Sequence, residues 1–571
     1  MIAKMTQYSF ILLHGDKEQF LSELQALGLV DIQRSAKPVD SYSQGLLDSI
    51  ATLRHDIDCT EKGMDDTLDG LLAVRDAIAE DLKDATPWGE FDRDRLAAFD
   101  PHFYRVVPKK YNPAWEEQYA IQTVCDDGGY RYFVILGDTA GFPLKELSAP
   151  QRSPAELEQM LAQQEEKIES HRKVLEARKE DIPNLRRHIR KLELDLDRYL
   201  AGMSAVPAAE DTIDTLVGYA PSDCDAAVTA CLDQAGVFYL KEEAKVEENP
   251  PIAFRNNKFV KMFEVLTDMY GRPAYDGFDP TPFIAVFFLL FFAMCMGDAG
   301  YGLVLILVGV LLRKADSFKK LAPLVITLGA ATVVVGFFLH TFFSLDIAQW
   351  KCFAGIRGIF LPDEIAGYAG GMVLSLIVGV VHLCLALIVK AINAVRLRGF
   401  AASLGTLGWT LLIVGGVIVG GVALTGVLSA ELTKWIVIGL GVVSALGIFV
   451  FNDPKRNKLA NVGMGLWDTY NTVTGLLGDV LSYLRLYALG LAGAMLGMAF
   501  NDMGQMVLGD GSNPVLWIPF LLLVLIGHTL NIAMCALGAF VHPLRLNFLE
   551  FFKNSGYEAS GRKFNPLTND R

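Results

Sequence analysis

Residues 475–500, GLLGDVLSYLRLYALGLAGAMLGMAF, decide the fold of this chain. The stretch is apolar and long enough for a helix that crosses a bilayer. Arg485 lies inside it, with apolar runs on both sides. A guanidinium stays charged at any ordinary pH, and placing it at mid-bilayer costs about 3 kcal/mol on insertion scales. Because such a charge usually meets a carboxylate or water inside a protein, Arg485 predicts a functional site.

Long apolar runs extend on either side of this stretch, and residues 280–552 predict an α-helical polytopic membrane domain. We count eight predicted transmembrane helices, at 281–297, 299–313, 321–343, 367–392, 403–428, 434–451, 464–501 and 515–550. The last two exceed the length that a bilayer needs, so we expect them to tilt strongly or to extend beyond it. Residues 553–571 form a predicted cytoplasmic tail.

Basic residues are distributed unequally between the two sets of predicted loops. One set carries most of them, namely Arg313, Lys314, Lys319, Lys320, Lys390, Arg396, Arg398, Lys455, Arg456, Lys458, Lys553, Arg562 and Lys563. The positive-inside rule makes this set cytoplasmic, and an even number of spans then puts both termini inside. The N-terminus shows no signal-peptide pattern, which independently predicts a cytoplasmic first half. The sequence therefore predicts a multi-pass protein of the cell (inner) membrane.

The first half of the chain, to about residue 255, is charged and predicts a soluble region. The formal net charge of −14 comes mostly from its Asp and Glu residues, which argues against nucleic acid as a partner. The eight cysteines are scattered, with no CxxC pair and no zinc-like spacing, so we expect free thiols and no metal site. No phosphate-binding glycine motif occurs in this half, and we predict no cofactor.

Two α/β lobes are predicted in this half. Residues 1–40 and 205–250 each carry a strand–helix–strand pattern, and together they predict one proximal lobe. Residues 88–150 contain a strong strand candidate at 130–136 and predict a distal lobe.

Two long charged helices separate the predicted lobes. Residues 42–85 and 152–200 have the apolar spacing of coiled-coil arms, which predicts an antiparallel pair reaching roughly 60 Å. Polar residues weaken the second seam at Gln164, His171 and Arg178. Pro183 is expected to kink or break that arm. The predicted architecture of the soluble half is a dumbbell, with one lobe at each end of the coiled-coil bar.

Few polar residues occur in the predicted spans. Asp298 follows Gly297 at a tight turn and predicts a cap, while His340 and His382 are isolated and predict packing roles. His542 and Arg545 are three residues apart on one helical face, where snorkelling is an alternative explanation for Arg545. Apart from Asp479, the chain has no acidic residue at the depth of Arg485. We therefore expect the partner of Arg485 to lie in another subunit.

Three stretches together carry a family resemblance. They are FFAMCMGDAGYG at 291–302, LSYLRLYALGLAGAML at 481–496, and residues 527–550 followed by Phe564-Asn-Pro. With the predicted layout, they resemble the membrane stator subunit of V-type/A-type rotary ATPases, called subunit a in eukaryotes and subunit I in archaea and bacteria. The length is similar to that of the shorter prokaryotic form.

The resemblance implies that the last two helices pack against a rotating proteolipid ring whose subunits carry ion-binding carboxylates. Arg485 matches the family's essential arginine and Arg545 its second arginine, so both are predicted to serve ion translocation. The positive charge would favour the ionised carboxylate, releasing the ion into one of two half-channels. His542, Glu550, Ser482 and Asp479 are candidates for lining these half-channels.

Two positions depart from the family pattern. Some relatives have a histidine about two turns after the first arginine, where this chain has Gly493. Some have a glutamate in the middle of the last span, but residues 531–535 contain none. The residues that line the half-channels are therefore less well defined by the resemblance than the arginines.

The resemblance also implies that the two lobes hold peripheral stalks, which connect the subunit indirectly to the ATPase head. The subunit itself would catalyse nothing and would contact the proteolipid ring and membrane lipid. The identity of the transported ion, proton or sodium, depends on the ring carboxylate in another chain. Whether the complex pumps ions or makes ATP does not follow from this chain either. The alternative is a secondary transporter or channel with a cytoplasmic scaffold domain, although no inverted repeat of broken helices supports it.

Overall fold

The computed structural model describes residues 1–34, 40–90, 99–139, 141–148, 151–208, 212–315, 318–319, 321–349, 355, 358, 360–362, 364–424, 426, 429–450, 458–509 and 513–569. The chain divides into two compact units. The first comprises Met1–Phe10, Leu29–Asp31 and Val217–Pro566. The second comprises Ile11–Gly28, Ile32–Leu216 and Leu567–Arg571.

The strands of the described residues form four small sheets. In chain order they are β1 (Met5–Leu13), β2 (Asp31–Ile32), β3 (Pro101–Val106), β4 (Ile121–Asp127), β5 (Tyr130–Leu136), β6 (Val206–Ala208), β7 (Ile213–Pro221), β8 (Phe238–Glu243), β9 (Thr341–Phe342), β10 (Leu345–Asp346), β11 (Glu364–Ile365) and β12 (Tyr368–Ala369). The largest sheet has the order β2-β7-β1-β8, with β6 pairing to β7. A second sheet has the order β3-β5-β4, and β9–β10 and β11–β12 are antiparallel pairs.

The second unit contains six described helices. They are α1 (Lys17–Leu27), α2 (Ser41–Lys62), α3 (Asp66–Ala85), α4 (Trp115–Gln118), α5 (Pro154–Arg178) and α6 (Ile182–Gly202). Helix α2 packs along α6, and α3 packs along α5. Three apolar clusters follow the pairs, comprising Ile50, Ile57, Ile189 and Leu196, then Leu68, Ile168 and Leu175, then Ile78 and Leu157. Since the numbers rise along one arm and fall along the other, the arms run antiparallel.

Two of the polar residues in the seam of the arms, Gln164 and His171, have partners on the opposite arm. Buried Gln164 donates from Nε2 to the Leu71 carbonyl at 3.0 Å. The His171 Nε2 lies 2.9 Å from both carboxylate oxygens of Asp65, which also caps α3 by accepting from the Leu68 N–H. The predicted break at Pro183 is confirmed, because α5 ends at Arg178 and α6 starts at Ile182 with the proline in its first turn.

Asp65→Ala should loosen the start of α3, because it removes both the cap and the partner of His171. We expect the free energy of local unfolding there to fall by about 1 kcal/mol, so that the amide hydrogens exchange about five times faster. Glu80→Ala is the control and should leave this exchange unchanged. Burial raises the pKa of Asp65, but the bonds from Leu68 and His171 outweigh it and lower the pKa overall. This stabilisation is therefore present above the ordinary carboxyl pKa and is lost as the pH falls through the lowered value. Unchanged exchange at neutral pH would contradict the assignment.

Aromatic and β-branched residues build the core of the three-stranded sheet in the second unit. Strand β5 pairs with both β3 and β4 in antiparallel register, which confirms the predicted strand at 130–136. Its Phe133 and Ile135 are fully buried beside Tyr104 and Val106 of β3.

The first unit contains the remaining helices. They are α7 (Asp225–Ala235), α8 (Lys258–Lys261), α9 (Glu264–Tyr270), α10 (Thr281–Met296), α11 (Ala299–Leu312), α12 (Ala322–Phe338), α13 (Gly370–Arg398), α14 (Leu404–Leu424), α15 (Ala430–Ala445), α16 (Lys458–Ser482), α17 (Leu484–Leu508), α18 (Trp517–Arg545) and α19 (Phe552–Ser555). Wider π-helical turns follow α15 at Leu446–Val450 and α18 at Leu546–Phe551.

Within the described ranges, five helical stretches are long and apolar enough to cross a membrane, which makes this a multi-pass membrane protein. They are Gly370–Arg398, Ala401–Leu424, Ala430–Val450, Asn461–Leu508 and Pro514–Ser555. The last two have 48 and 42 residues and exceed a bilayer, as the sequence predicts. The three other predicted spans, at 281–297, 299–313 and 321–343, are helices α10, α11 and α12 of 16, 14 and 17 residues. At 1.5 Å per residue each falls short of a hydrocarbon core of about 30 Å, so the count of eight spans stays a prediction.

A dense aromatic core holds the apolar helices of the first unit together. It is built around α10, whose Phe288 and Phe291 are fully buried. Tyr483 and Phe551 contribute to the same cluster from distant parts of the chain. This core therefore joins α10 to the two segments that carry the predicted site residues.

Candidate functional site

Arg485 is the second residue of α17, directly after an interruption of the helix. The sequence predicts one helix over 464–501, but the structure has two, because α16 ends at Ser482 and α17 begins at Leu484. At the junction the Tyr483 N–H donates to the Val480 carbonyl, three residues back, at 3.1 Å. This tight turn directs the side chain that follows it.

The Arg485 guanidinium has no acidic partner in the described part of the chain. Its Nη1 is buried and has no hydrogen-bond partner there. Asp479, the nearby acid in sequence, instead accepts from Lys553 Nζ at 3.3 Å and from Asn554 Nδ2 at 2.7 Å. Within the described residues, Arg485 is therefore a partly buried charge without an ion-pair partner in its own chain.

The structure brings His542 and Arg545 into the surroundings of Arg485. His542 and Arg545 lie in the last turn of α18, and the charges of both arginines act on the His542 imidazole. Arg545 is exposed, whereas His542 is partly buried and its Nδ1 has no partner among the described residues. Two arginines and one histidine thus form a basic cluster between α17 and α18.

Glu550 and Ser482 form a second group. Glu550 lies in the π-helical turn after α18 and is only 4% exposed. The Ser482 hydroxyl donates to the Gly478 carbonyl at 3.0 Å and also interacts with the Glu550 carboxylate. The other carboxylate oxygen, Oε2, has no hydrogen-bond partner within the described ranges. The charges of Arg545 and Asp479 both act on Glu550, which therefore lies in the surroundings of each.

His382 also lies in this region, although its isolation in the sequence predicts only a packing role. It lies on α13, and its Nδ1 is 2.9 Å from the Tyr483 hydroxyl. Both residues are fully buried. Its isolation in the sequence gave no sign of a partner 101 residues away.

A separate polar network joins the C-terminal half of α17 to the first half of α18. The Tyr301 hydroxyl is 2.8 Å from His528 Nδ1, and His528 Nε2 is 3.0 Å from the Asn501 side chain. Buried Asn531 donates to both the Tyr301 hydroxyl and the Gly493 carbonyl at 2.8 Å. The network ties α11, α17 and α18 together.

The space beside Gly493 is already occupied. A Cβ at that position would lie 2.6 Å from Cys535 Sγ of α18. Helix α18 therefore approaches α17 closely at this glycine, and a histidine would not fit without displacing Cys535.

The described residues contain no group of three or more His, Cys, Asp or Glu side chains that could hold a metal ion. The seven cysteines of the described ranges form no disulfide with one another, and Cys352 falls outside those ranges. Of the basic loop residues, Lys320, Lys455 and Arg456 also lie outside them. The chemistry that the described arrangement offers is electrostatic, from fixed charges inside an apolar bundle.

Residues 142–322 and 468–569 match the model of the V-type ATPase 116 kDa subunit family. The chain is 32% identical over 362 residues to the A-type ATP synthase subunit I of Methanocaldococcus jannaschii, covering 58% of this chain and 51% of that protein. It is 33% identical over 349 residues to the same subunit of Pyrococcus abyssi, covering 59% and 50%. It is 28% identical over 530 residues to the V-type ATP synthase subunit I 1 of Treponema pallidum, covering 85% and 82%. The chain thus spans about half the length of the first two relatives and most of the third.

Proposed function

Because the chain belongs to the V-type ATPase 116 kDa subunit family, we propose that it is the membrane stator subunit of a rotary V/A-type ATPase. The observation that carries the proposal is Arg485, a partly buried guanidinium with no acidic partner among the described residues. Placing a guanidinium in an apolar surrounding costs free energy, and a carboxylate partner on another subunit would offset that cost. The relatives are named as subunits of ATP synthases, which supports a multi-subunit assembly.

In the proposed mechanism, Arg485 faces a carboxylate on each proteolipid of a rotating ring. When a loaded carboxylate approaches, the fixed positive charge favours its ionised form, and a proton or sodium ion leaves into one half-channel. Rotation then exposes the empty carboxylate to the second half-channel, where it reloads. Arg485 also repels cations that would cross directly between the half-channels.

Arg545 is proposed as the second translocating residue. It shares the basic cluster with His542, and its exposed side chain leaves it accessible to a neighbouring subunit. The loop charges support a cytoplasmic location for this end of α18. We assign Glu550, Ser482, Asp479 and His542 to the lining of the cytoplasmic half-channel, supported by the unpaired polar atoms of Glu550 and His542.

The cytoplasmic half of the chain is proposed to hold peripheral stalks. Its proximal lobe would comprise 1–40 with 205–250, its arms 42–85 and 152–200, and its distal lobe 88–150, with 280–552 forming the membrane domain and 553–571 the tail. The antiparallel packing of the arms supports a stiff spacer between two anchoring lobes. In this function the chain binds no cofactor and hydrolyses no ATP, both termini are cytoplasmic, and eight spans cross the cell membrane.

The assignment is tested by gentle solubilisation of the membrane and affinity purification with this chain as the bait. We expect a proteolipid ring and ATPase subunits to co-purify in fixed proportion. If the chain instead purifies alone and transports ions after reconstitution alone, it is a secondary transporter or channel with a scaffold domain, and the stator function is wrong.

Replacing residues 88–150 by a short linker should weaken stalk attachment, because it removes the distal lobe while leaving the arms that pack on each other. The stalk content of the purified complex should fall by at least about half, on the principle that linked contacts bind far better than single ones. As a control, Glu80→Ala on the outer face of α3 should leave stalk content unchanged. Unchanged stalk content after the deletion would contradict the anchoring role of the distal lobe.

A further inference from the structure

The interruption before Arg485 is fixed from outside its own helix. The Tyr483 N–H bonds to the Val480 carbonyl and its carbonyl accepts from the Leu486 N–H, both at 3.1 Å. A turn of this tighter kind rotates the following residues relative to a continuous α-helix. The direction of Arg485, two residues later, therefore depends on what holds Tyr483.

The Tyr483 side chain is held by α13. Its hydroxyl lies 2.9 Å from His382 Nδ1, and the other ring nitrogen of His382 has no hydrogen-bond partner in the described part of the chain. One turn earlier on α13, a Cβ on Gly379 would lie 2.3 Å from Tyr483 Cγ. The ring is thus pressed against the α13 backbone and bonded at its tip, which leaves it little freedom to rotate.

His382 also contacts the segment that carries Glu550. Its ring stacks on Phe551 with centroids 4.8 Å apart and planes 6° from parallel. The Phe287 ring also lies close to it, with ring centroids 4.2 Å apart. Phe551 is the residue after Glu550, so one buried histidine contacts the neighbours of both Arg485 and Glu550.

We propose that His382 and Tyr483 are positioning residues that fix the direction of Arg485 relative to Glu550. The hydrogen bond is directional and lies in an apolar surrounding, where neither group finds water to replace its partner. Breaking it frees the turn at Tyr483 and lets the guanidinium shift, while the helices stay packed. Because this inference rests on the proposed function, its effect appears in the coupling between ATP hydrolysis and ion transport.

The test compares variants in membrane vesicles that contain the intact complex, measuring ions transported per ATP hydrolysed. Tyr483→Phe removes only the hydroxyl. His382→Leu removes the ring and the polar atom, whereas His382→Asn has the shape of leucine but keeps a polar atom near the place of Nδ1. Tyr487→Phe, which removes a hydroxyl one turn along α17, is the matched control.

We expect Tyr483→Phe and His382→Leu to lower the number of ions transported per ATP at least about fivefold. This factor corresponds to the free energy of one buried hydrogen bond. His382→Asn should retain most of the wild-type ratio, and Tyr487→Phe should retain all of it. Wild-type ratios in Tyr483→Phe and His382→Leu would overturn the inference, and so would an Asn variant as defective as the Leu variant. Loss of the assembled complex in Tyr483→Phe would also overturn it, because the pair would then serve folding.

Arg485→Ala, measured alongside, separates this inference from the proposed function. If Arg485→Ala abolishes transport while Tyr483→Phe and His382→Leu leave the ratio of ions to ATP unchanged, only the positioning role is wrong. If Arg485→Ala transports normally, the stator mechanism itself is wrong.

Discussion

Replacing Arg485 by alanine is expected to abolish ATP-driven ion transport while leaving the complex assembled. The guanidinium makes no ion pair among the described residues and its Nη1 has no partner, so its loss removes few contacts within the chain. A positive charge within about 4–6 Å favours an ionised carboxylate by about 10- to 1,000-fold. In the proposed mechanism, a ring carboxylate without this charge beside it would keep its ion at the interface and the rotor could not exchange it.

The measurement is ion uptake into vesicles beside the subunit composition of the purified complex. Arg398→Ala is the matched control, because it removes an exposed guanidinium at the end of α13. Arg485→Lys keeps the charge but not the planar fork of donors, so we expect partial loss. Normal transport by Arg485→Ala in an assembled complex would contradict the assigned role.

Asp298→Ala is expected to prevent stable assembly. The Asp298 carboxylate is 4% exposed and accepts four backbone N–H groups, from Gly300, Tyr301, Phe343 and Ser344. The last two form the turn between β9 and β10, with φ of +47° and +58°. Such angles are costly for residues with side chains, so the carboxylate holds a turn that would otherwise relax.

Loss of the carboxylate leaves up to four buried donors without an acceptor, which costs at least about 4 kcal/mol. We expect little chain in the membrane and little assembled complex, quantified by immunoblot and by complex yield. Asp298→Asn keeps one acceptor oxygen and should give an intermediate yield, and Asp502→Ala, at an exposed position of α17, should be normal. A normal yield of Asp298→Ala would show that the turn does not depend on this carboxylate.

The sequence was sufficient for features that depend on local pattern. The two last helices are long because their apolar runs are long, and the cap at Asp298 was predicted from the glycines around it. The absence of an acid near Arg485 was also visible, since the chain has so few acidic residues in its apolar half.

Features that depend on tertiary contact were not predictable in this way. The interruption at Tyr483 replaces the single helix that its apolar run suggests, because the ring is pressed against Gly379 and bonded to His382. His382 was assigned to packing because nothing in one sequence indicates a partner on a distant helix. The Glu550–Ser482 contact likewise depends on the π-helical turn after α18, which has no local sequence signal.

The three helices α10, α11 and α12 show a further limit of apolar patterns. Their runs are apolar enough for spans, but Gly297, with φ of +59°, ends α10, and Asp298 caps the start of α11. Helix α12 ends at Phe338, before the hairpin of β9 and β10. Hydropathy reports which residues avoid water and not where a helix stops. The bounds of α10 and α11 agree with the predicted spans at 281–297 and 299–313, whereas α12 ends five residues before its predicted end at 343.

The most direct test of the stator function is a structure of the intact complex, in which the distance from the Arg485 guanidinium to the nearest carboxylate is measured in each rotational state. We predict that this carboxylate belongs to another subunit and lies within about 6 Å in at least one state. If the nearest carboxylate in every state is Asp479 or Glu550 of the same chain, Arg485 has an internal partner and the stator function is contradicted.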